Sequence, residues 1–146
     1  MAAGNFTLYG AAIERIMAGE IDLNGHTFKA MLATSSYAPV VDTHDDLSDV
    51  TNEVSGGGYS QVTITGKTLT RSAGTIVFDA DDVNFGSAVT ITAKYIVIYD
   101  DTHASKALLG YMDLEQNNAT GVSSTSSTFQ VQWPPTGLFK FERLPA

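Results

Sequence analysis

From Gln61 to Glu142 the chain is a succession of short apolar or alternating runs, each closed by Gly, Ser, Asn or Asp. Runs this short suit strands better than helices, and turn residues at fairly even spacing predict an antiparallel sandwich or barrel. The expected strands are Gln61–Thr65, Lys67–Arg71, Thr75–Asp79, Thr90–Asp100, Ala107–Leu114, Thr128–Trp133 and Leu138–Glu142. The strongest signal is TITAKYIVIYD. Ile91, Ala93 and Tyr95 alternate with Thr92 and Lys94, and Ile96, Val97 and Ile98 then make both faces apolar, as in a strand covered on both sides. In TFQVQWPP, Phe129, Val131 and Trp133 share one face, Gln130 and Gln132 the other, and Pro134-Pro135 ends the strand. EQNNATGVSSTSST is polar and of low complexity, and reads as a long flexible surface loop.

Before residue 61 the pattern changes. Leu8, Ala12, Ile13, Ile16 and Met17 recur at helical spacing, with Thr7 or Asn5 placed to cap the start and Gly19 to end the helix. Asn24-Gly25 predicts a type I′ hairpin turn leading into a strand over Thr27–Thr34. No repeat or linker is visible. Residues 1–146 are therefore read as one mainly β domain, an antiparallel sandwich or jelly-roll-like fold with a short N-terminal helix. Residues 1–7 and 142–146 are read either as arms that grip neighbours or as frayed ends.

Composition limits the partners. The chain has 43% apolar and 16% charged residues and a formal charge of −8, with eight Lys and Arg in all. Lys67, Arg71, Lys94, Lys106, Lys140 and Arg143 are scattered singly, so no basic patch for nucleic acid or an anionic membrane is expected. Without cysteine there is no disulfide, zinc–thiolate site or thiol chemistry. MAAGNFTLYG lacks the pattern of a signal peptide, and no run approaches the roughly 20 apolar residues of a membrane helix.

The stretch DTHDDLSDVTNEVSGGGY is where chemistry would be sought. Asp42, His44, Asp45, Asp46 and Asp49 are the residues a metal site would draw on, but their spacing lacks the central Gly and late Glu of a calcium loop. Thr43 followed by Asp46 fits a capping box at the start of a short helix, with Gly56–Gly58 as a flexible connection to the next strand. Asp79, Asp81 and Asp82 form a second acidic cluster, read as a solvated turn. His26, His44 and His103 belong to no His-x-x-x-His pair and flank no nucleophile elbow. No catalytic residue and no cofactor is assigned. Tyr9, Tyr37, Tyr59, Tyr95, Tyr99, Tyr111 and Trp133 would be the stacking residues of a sugar-binding module, although Tyr95, Tyr99 and Trp133 have aliphatic neighbours and read as core.

The order NFTLY, a short helix, GEIDL, FKAMLATSSYAP, DTHDDLSDVTNEVSGGGY, FDADDV and TITAKYIVIYDD resembles a family of small structural proteins encoded by tailed bacteriophages. The resemblance runs from Asn5 to about Phe141, and DVTNEVSGGGY is its most specific piece. It implies a sandwich or jelly-roll-like fold, self-association as a trimer or dimer, no enzymatic activity, and a place on the virion bound to the major capsid protein. A capsid decoration or cement subunit is the first expectation. A tail or neck component, a carbohydrate-binding module and a small β-sandwich hydrolase are the alternatives.

Overall fold

The computed structural model describes residues 3–145. It is mainly β and sandwich-like, with several antiparallel sheets closing on one apolar core and one short helix. The principal sheet orders its strands β1 (Thr7–Leu8), β9 (Leu108–Asp113), β8 (Tyr95–Asp100), β2 (Phe28–Ala33) and β3 (Val62–Thr63). Its centre is the run with two apolar faces: Ile96, Val97, Ile98, Tyr99 and Asp100 are all buried.

Residues directly opposite in an antiparallel ladder share a face. The pairs Leu8–Gly110, Ile98–Gly110, Ile96–Met112, Ala30–Ile98 and Leu32–Ile96 therefore define one side. It meets the second layer, where Phe28 packs on Phe78, Phe78 stacks on Phe139, and Phe6 lies between Phe139 and Trp133. Gly110 is required there, because an added Cβ would fall 2.4 Å from the Phe6 ring. The opposite side carries Tyr95, Val97 and Tyr111 beneath the helix α1 (Gly10–Met17). There Tyr9 packs on Tyr111 and Tyr37 on Tyr95.

The second layer has three parts. β4 (Thr68–Ser72), β5 (Thr75–Asp79) and β12 (Phe139–Glu142) form a sheet in the order β12–β5–β4. β6 (Val83–Asn84) pairs with β11 (Gln130–Val131), and β7 (Val89–Ala93) with β10 (Val122–Ser127).

Four sequence expectations are corrected. Thr90–Asp100 is not one strand. It turns a corner at Lys94, whose N–H bonds to Ala33 and whose carbonyl accepts from Leu114, so β7 and β8 serve different sheets. The stretch expected to be a flexible loop contains β10. Its side chains bond to β7 (Thr92 Oγ1 to Ser123 Oγ at 2.7 Å, Ser124 Oγ to the Val89 carbonyl at 2.8 Å), so ladder and hydroxyl bonds hold a strand with little apolar pattern.

Asn24-Gly25 makes no type I′ turn, since neither residue has positive φ. The Asp22 carboxylate accepts from both their N–H groups, at 3.0 and 2.9 Å, and this Asx-turn replaces the hairpin. Lastly, the apolar stripe of α1 is narrower than expected. Ala12 is buried and Ile16 half-buried, while Ile13 and Met17 face out. Tyr9 stands at the N-cap without a side-chain bond, and the Gly10 N–H bonds to the Val41 carbonyl instead. The C-terminus ends as expected: Gly19 (φ +79) lets the N–H groups of Gly19 and Glu20 reach back to Ile16 and Arg15 in a Schellman motif.

The N-terminal arm, from Gly4 on, is fastened to its own sheet: the Gly4 N–H bonds to Asp113 and Phe6 is buried. Met1 and Ala2 lie outside the described residues. At the other end Glu142 closes β12, the Arg143 N–H bonds to Gly74, and Leu144 is exposed; Ala146 lies outside the described residues.

Candidate functional site

The acidic stretch folds into a single 3-10 turn over Leu47–Asp49, three residues later than the Thr43 start expected from sequence. Asp46 is its N-cap, and the Asp49 carboxylate reaches back to accept the N–H groups of Asp46 and Asp45 at 3.0 and 2.9 Å. Those two bonds, Asp46 first, hold the Asp49 carboxyl below the usual carboxylate range. Asp46 Oδ1 accepts from Arg15 at 2.9 Å and from Ser105 Oγ at 2.6 Å, and the Asp45 carbonyl also accepts from Arg15. His44 Nδ1 lies 2.9 Å from the Tyr37 hydroxyl, which in turn lies 2.8 Å from that of Tyr9. Asp42 stands apart on an exposed turn. The side chains of His44, Asp46 and Asp49 point to different partners. Among the described residues no three His, Asp or Glu side chains converge as a metal would require.

The segment behind it is a clasp on the part of β2 that β3, paired only at Lys29 and Ala30, leaves uncovered. Leu32 gives its N–H to the Tyr59 hydroxyl and its carbonyl accepts from Val54. Tyr59 donates to Glu53, which also accepts from Gln61, and Gln61 accepts from Tyr99. Gly56, Gly57 and Gly58 all have positive φ, and a Cβ on Gly57 would fall 2.0 Å from the Thr90 carbonyl oxygen. The glycines form a close-packed turn rather than the flexible connection expected.

The second acidic cluster is likewise tied to the chain. Asp82 accepts the Trp133 N–H, Asp81 accepts from Thr65 Oγ1, Asp79 accepts the Ala80 N–H, and the Asp81 carbonyl takes the Trp133 indole N–H. Asp100, fully buried, accepts from the N–H groups of Thr102 and His103 and lies 2.5 Å from His26 Nδ1. The structure does bring a serine, a histidine and an acid together: Ser105 Oγ is 3.1 Å from His103 Nδ1, and His103 Nε2 is 3.8 Å from Glu20. A serine nucleophile must hand its proton to the histidine. Ser105 Oγ instead donates to Asp46, on an exposed loop.

Of the aromatic residues that could stack a sugar, Tyr9, Tyr37, Tyr99 and Trp133 are buried. Half-buried Tyr95 and Tyr111 border an open cleft of about 480 Å³, with Asn5, Thr7, Asp113 and Gln116. A second cavity of about 470 Å³ lies between β10 and β11 over Met112, Leu114 and Phe129.

Sequence reasoning missed the distribution of basic groups in space. Arg15, Lys29, Lys94, Lys106 and Lys140 each meet a carboxylate, and Lys67 donates to the carbonyls of Asn24 and His26. Among the described residues only Arg71 and Arg143 have no such partner, and both belong to the β4–β5–β12 sheet. No strand-by-strand reading could pair them, because the β5–β12 register joins distant parts of the chain.

Comparison of the chain with protein-family models, with curated proteins and with solved structures finds no match.

Proposed function

We propose that this chain is a non-enzymatic structural protein of a tailed-phage virion, most specifically a decoration subunit that binds the major capsid protein and stabilises the head. The observation that carries the proposal is where the polar chemistry points. Asp46, Asp49, Asp79, Asp81 and Asp82 of the two acidic clusters and all three histidines are engaged in bonds within the chain, while the outer surface offers exposed strands and unpaired side chains. A cement subunit needs a rigid, self-sufficient body and many modest contacts repeated by symmetry, so that avidity exceeds any single contact. The resemblance from Asn5 to Phe141 supports the same role and carries with it self-association as a trimer or dimer. Nucleic acid and membrane are not partners in this reading, in keeping with the charge of −8.

The test is to add purified protein to heads lacking it. Saturable binding, together with a higher temperature of shell disruption, is expected. Absence of binding would contradict the proposal. A tail or neck component with the same fold is the second reading, and binding confined to tails would favour it. The cleft at Tyr95 and Tyr111 favours the carbohydrate-binding reading, and retention on a glycan array that is lost in Tyr111→Ala would support it.

A further inference from the structure

We propose that the β4–β5–β12 sheet is the gripping surface. In this proposal an acidic, extended segment of the coat-protein lattice adds along the free edge of β4, with Arg71 over its carboxylates and Arg143, folded onto the Gly74 turn, facing the part of it that runs past the hairpin. The inference rests on the decoration reading and adds to it the face used and the chemistry it recognises.

Three observations meet on this sheet. First, β4 is an edge strand whose five residues are all exposed, and its backbone makes no hydrogen bonds outside the pairing with β5. An edge of that kind offers unpaired N–H and C=O groups to another strand. Second, its register aligns Leu69 with Phe78 and Phe139, and Arg71 with Ile76 and Phe141, so these six share one face. Phe78 at the inner end is core, whereas Leu69 and Ile76 are about 40% exposed. Third, that face carries the two basic side chains that, among the described residues, meet neither a carboxylate nor a carbonyl. Arg143 continues the ladder two residues past Phe141, and its guanidinium lies against Gly74, within 3.1 Å of where a Cβ would stand.

In a chain of net charge −8, two unpaired arginines at one end orient that end toward an acidic partner. The same charge argues against a second copy as the occupant. A two-fold β4–β4 pairing centred on Thr70 would bring the two copies of Arg71 to a diagonal separation of about 7–8 Å, where like charges repel. Arg71 therefore guards the edge against self-pairing while leaving it open to a carboxylate-bearing strand.

The experiment measures binding of wild type, Arg71→Glu/Arg143→Glu, Leu69→Pro and Met17→Ser to heads lacking the protein, at low and high salt. Thr70 pairs inward with Val77 next to a two-residue turn, so the outward-facing N–H beside it is that of Leu69. Unchanged melting temperatures establish that the variants are folded. Wild type and Met17→Ser are expected to bind alike, Met17 being an exposed residue of α1. The double arginine variant and Leu69→Pro should bind at least about tenfold more weakly. Wild-type binding should fall with salt as the screening length contracts from about 10 Å at 0.1 M toward about 3 Å at 1 M.

Binding of the double variant within about twofold of wild type would overturn this inference and leave the decoration reading standing. A wild-type dimer in sedimentation that Leu69→Pro abolishes would reassign the edge to self-pairing and also overturn it. No binding by wild type would remove the decoration reading and the inference together.

Discussion

Replacing Lys94 by Met removes one ammonium from the corner where β7 passes into β8. Lys94 is 7% exposed, and its Nζ uses all three protons: on Asp113 Oδ1 at 2.9 Å, the Glu115 carbonyl at 2.6 Å and the Asn118 carbonyl at 3.0 Å. Breaking a fully buried ion pair costs about 3–5 kcal/mol. Asp113 is 26% exposed on its side chain, so water will partly solvate it, and the cost falls to about 2–3 kcal/mol, including the bonds lost at the two carbonyls, each of which keeps one backbone N–H. For a chain of this length that lowers Tm by about 7–10 °C. Thermal and urea unfolding followed by circular dichroism will read it, with the urea slope unchanged if the loss lies in the native state. A Tm within about 2 °C of wild type would refute the claim that this lysine holds the 115–118 segment to the corner.

Three further outcomes follow from local geometry. Gly57→Ala should cost about 2–4 kcal/mol, because φ is +61 and the new Cβ meets the Thr90 carbonyl; stability near wild type in chemical unfolding would make the glycines a flexible connection after all. The β4–β5 hairpin turns on Ala73 (φ +49) and Gly74 (φ +83), a type I′ pair in which Ala is strained, so Ala73→Asn should add about 1 kcal/mol; a loss of stability in urea would contradict that turn assignment. Asp49, whose carboxyl is held low by two backbone N–H groups, contributes stability above its unfolded value near about 3.9 and loses it as pH falls through the native value. Asp49→Asn should therefore cost about 0.5–1 kcal/mol at pH 7 and flatten the acid limb below about pH 4; an unaltered acid titration of stability would count against the cap.

The legible parts of the sequence were those where burial itself writes the pattern. Ile96–Ile98, apolar on both faces, are the centre of the principal sheet, and Phe129, Val131 and Trp133 are buried while Gln130 and Gln132 are exposed. β10 was illegible because Val122–Ser127 is a strand by virtue of its ladder and hydroxyl bonds to β7, with only Ser124 of its six residues buried. Asn24-Gly25 misled because a carboxylate two residues earlier captured its N–H groups, and the real type I′ turn uses Ala-Gly. Lys94 read only as the residue that shares a face with Thr92, because its three acceptors lie about 20 positions ahead. In the acidic stretch the residue types announced a cap, but its register depended on Arg15 and Ser105, which reach Asp46 from α1 and from the β8–β9 loop. The arginine-bearing hairpin followed only from strand pairing.

The central claim is a lattice role, and the most direct measurement is the copy number of this chain relative to the major capsid protein in purified virions, by quantitative mass spectrometry. Decoration predicts a ratio set by lattice symmetry, near one or a simple fraction of it. A ratio of a few per cent would contradict the head assignment in favour of the tail or neck, and absence from the particle would contradict the virion role altogether.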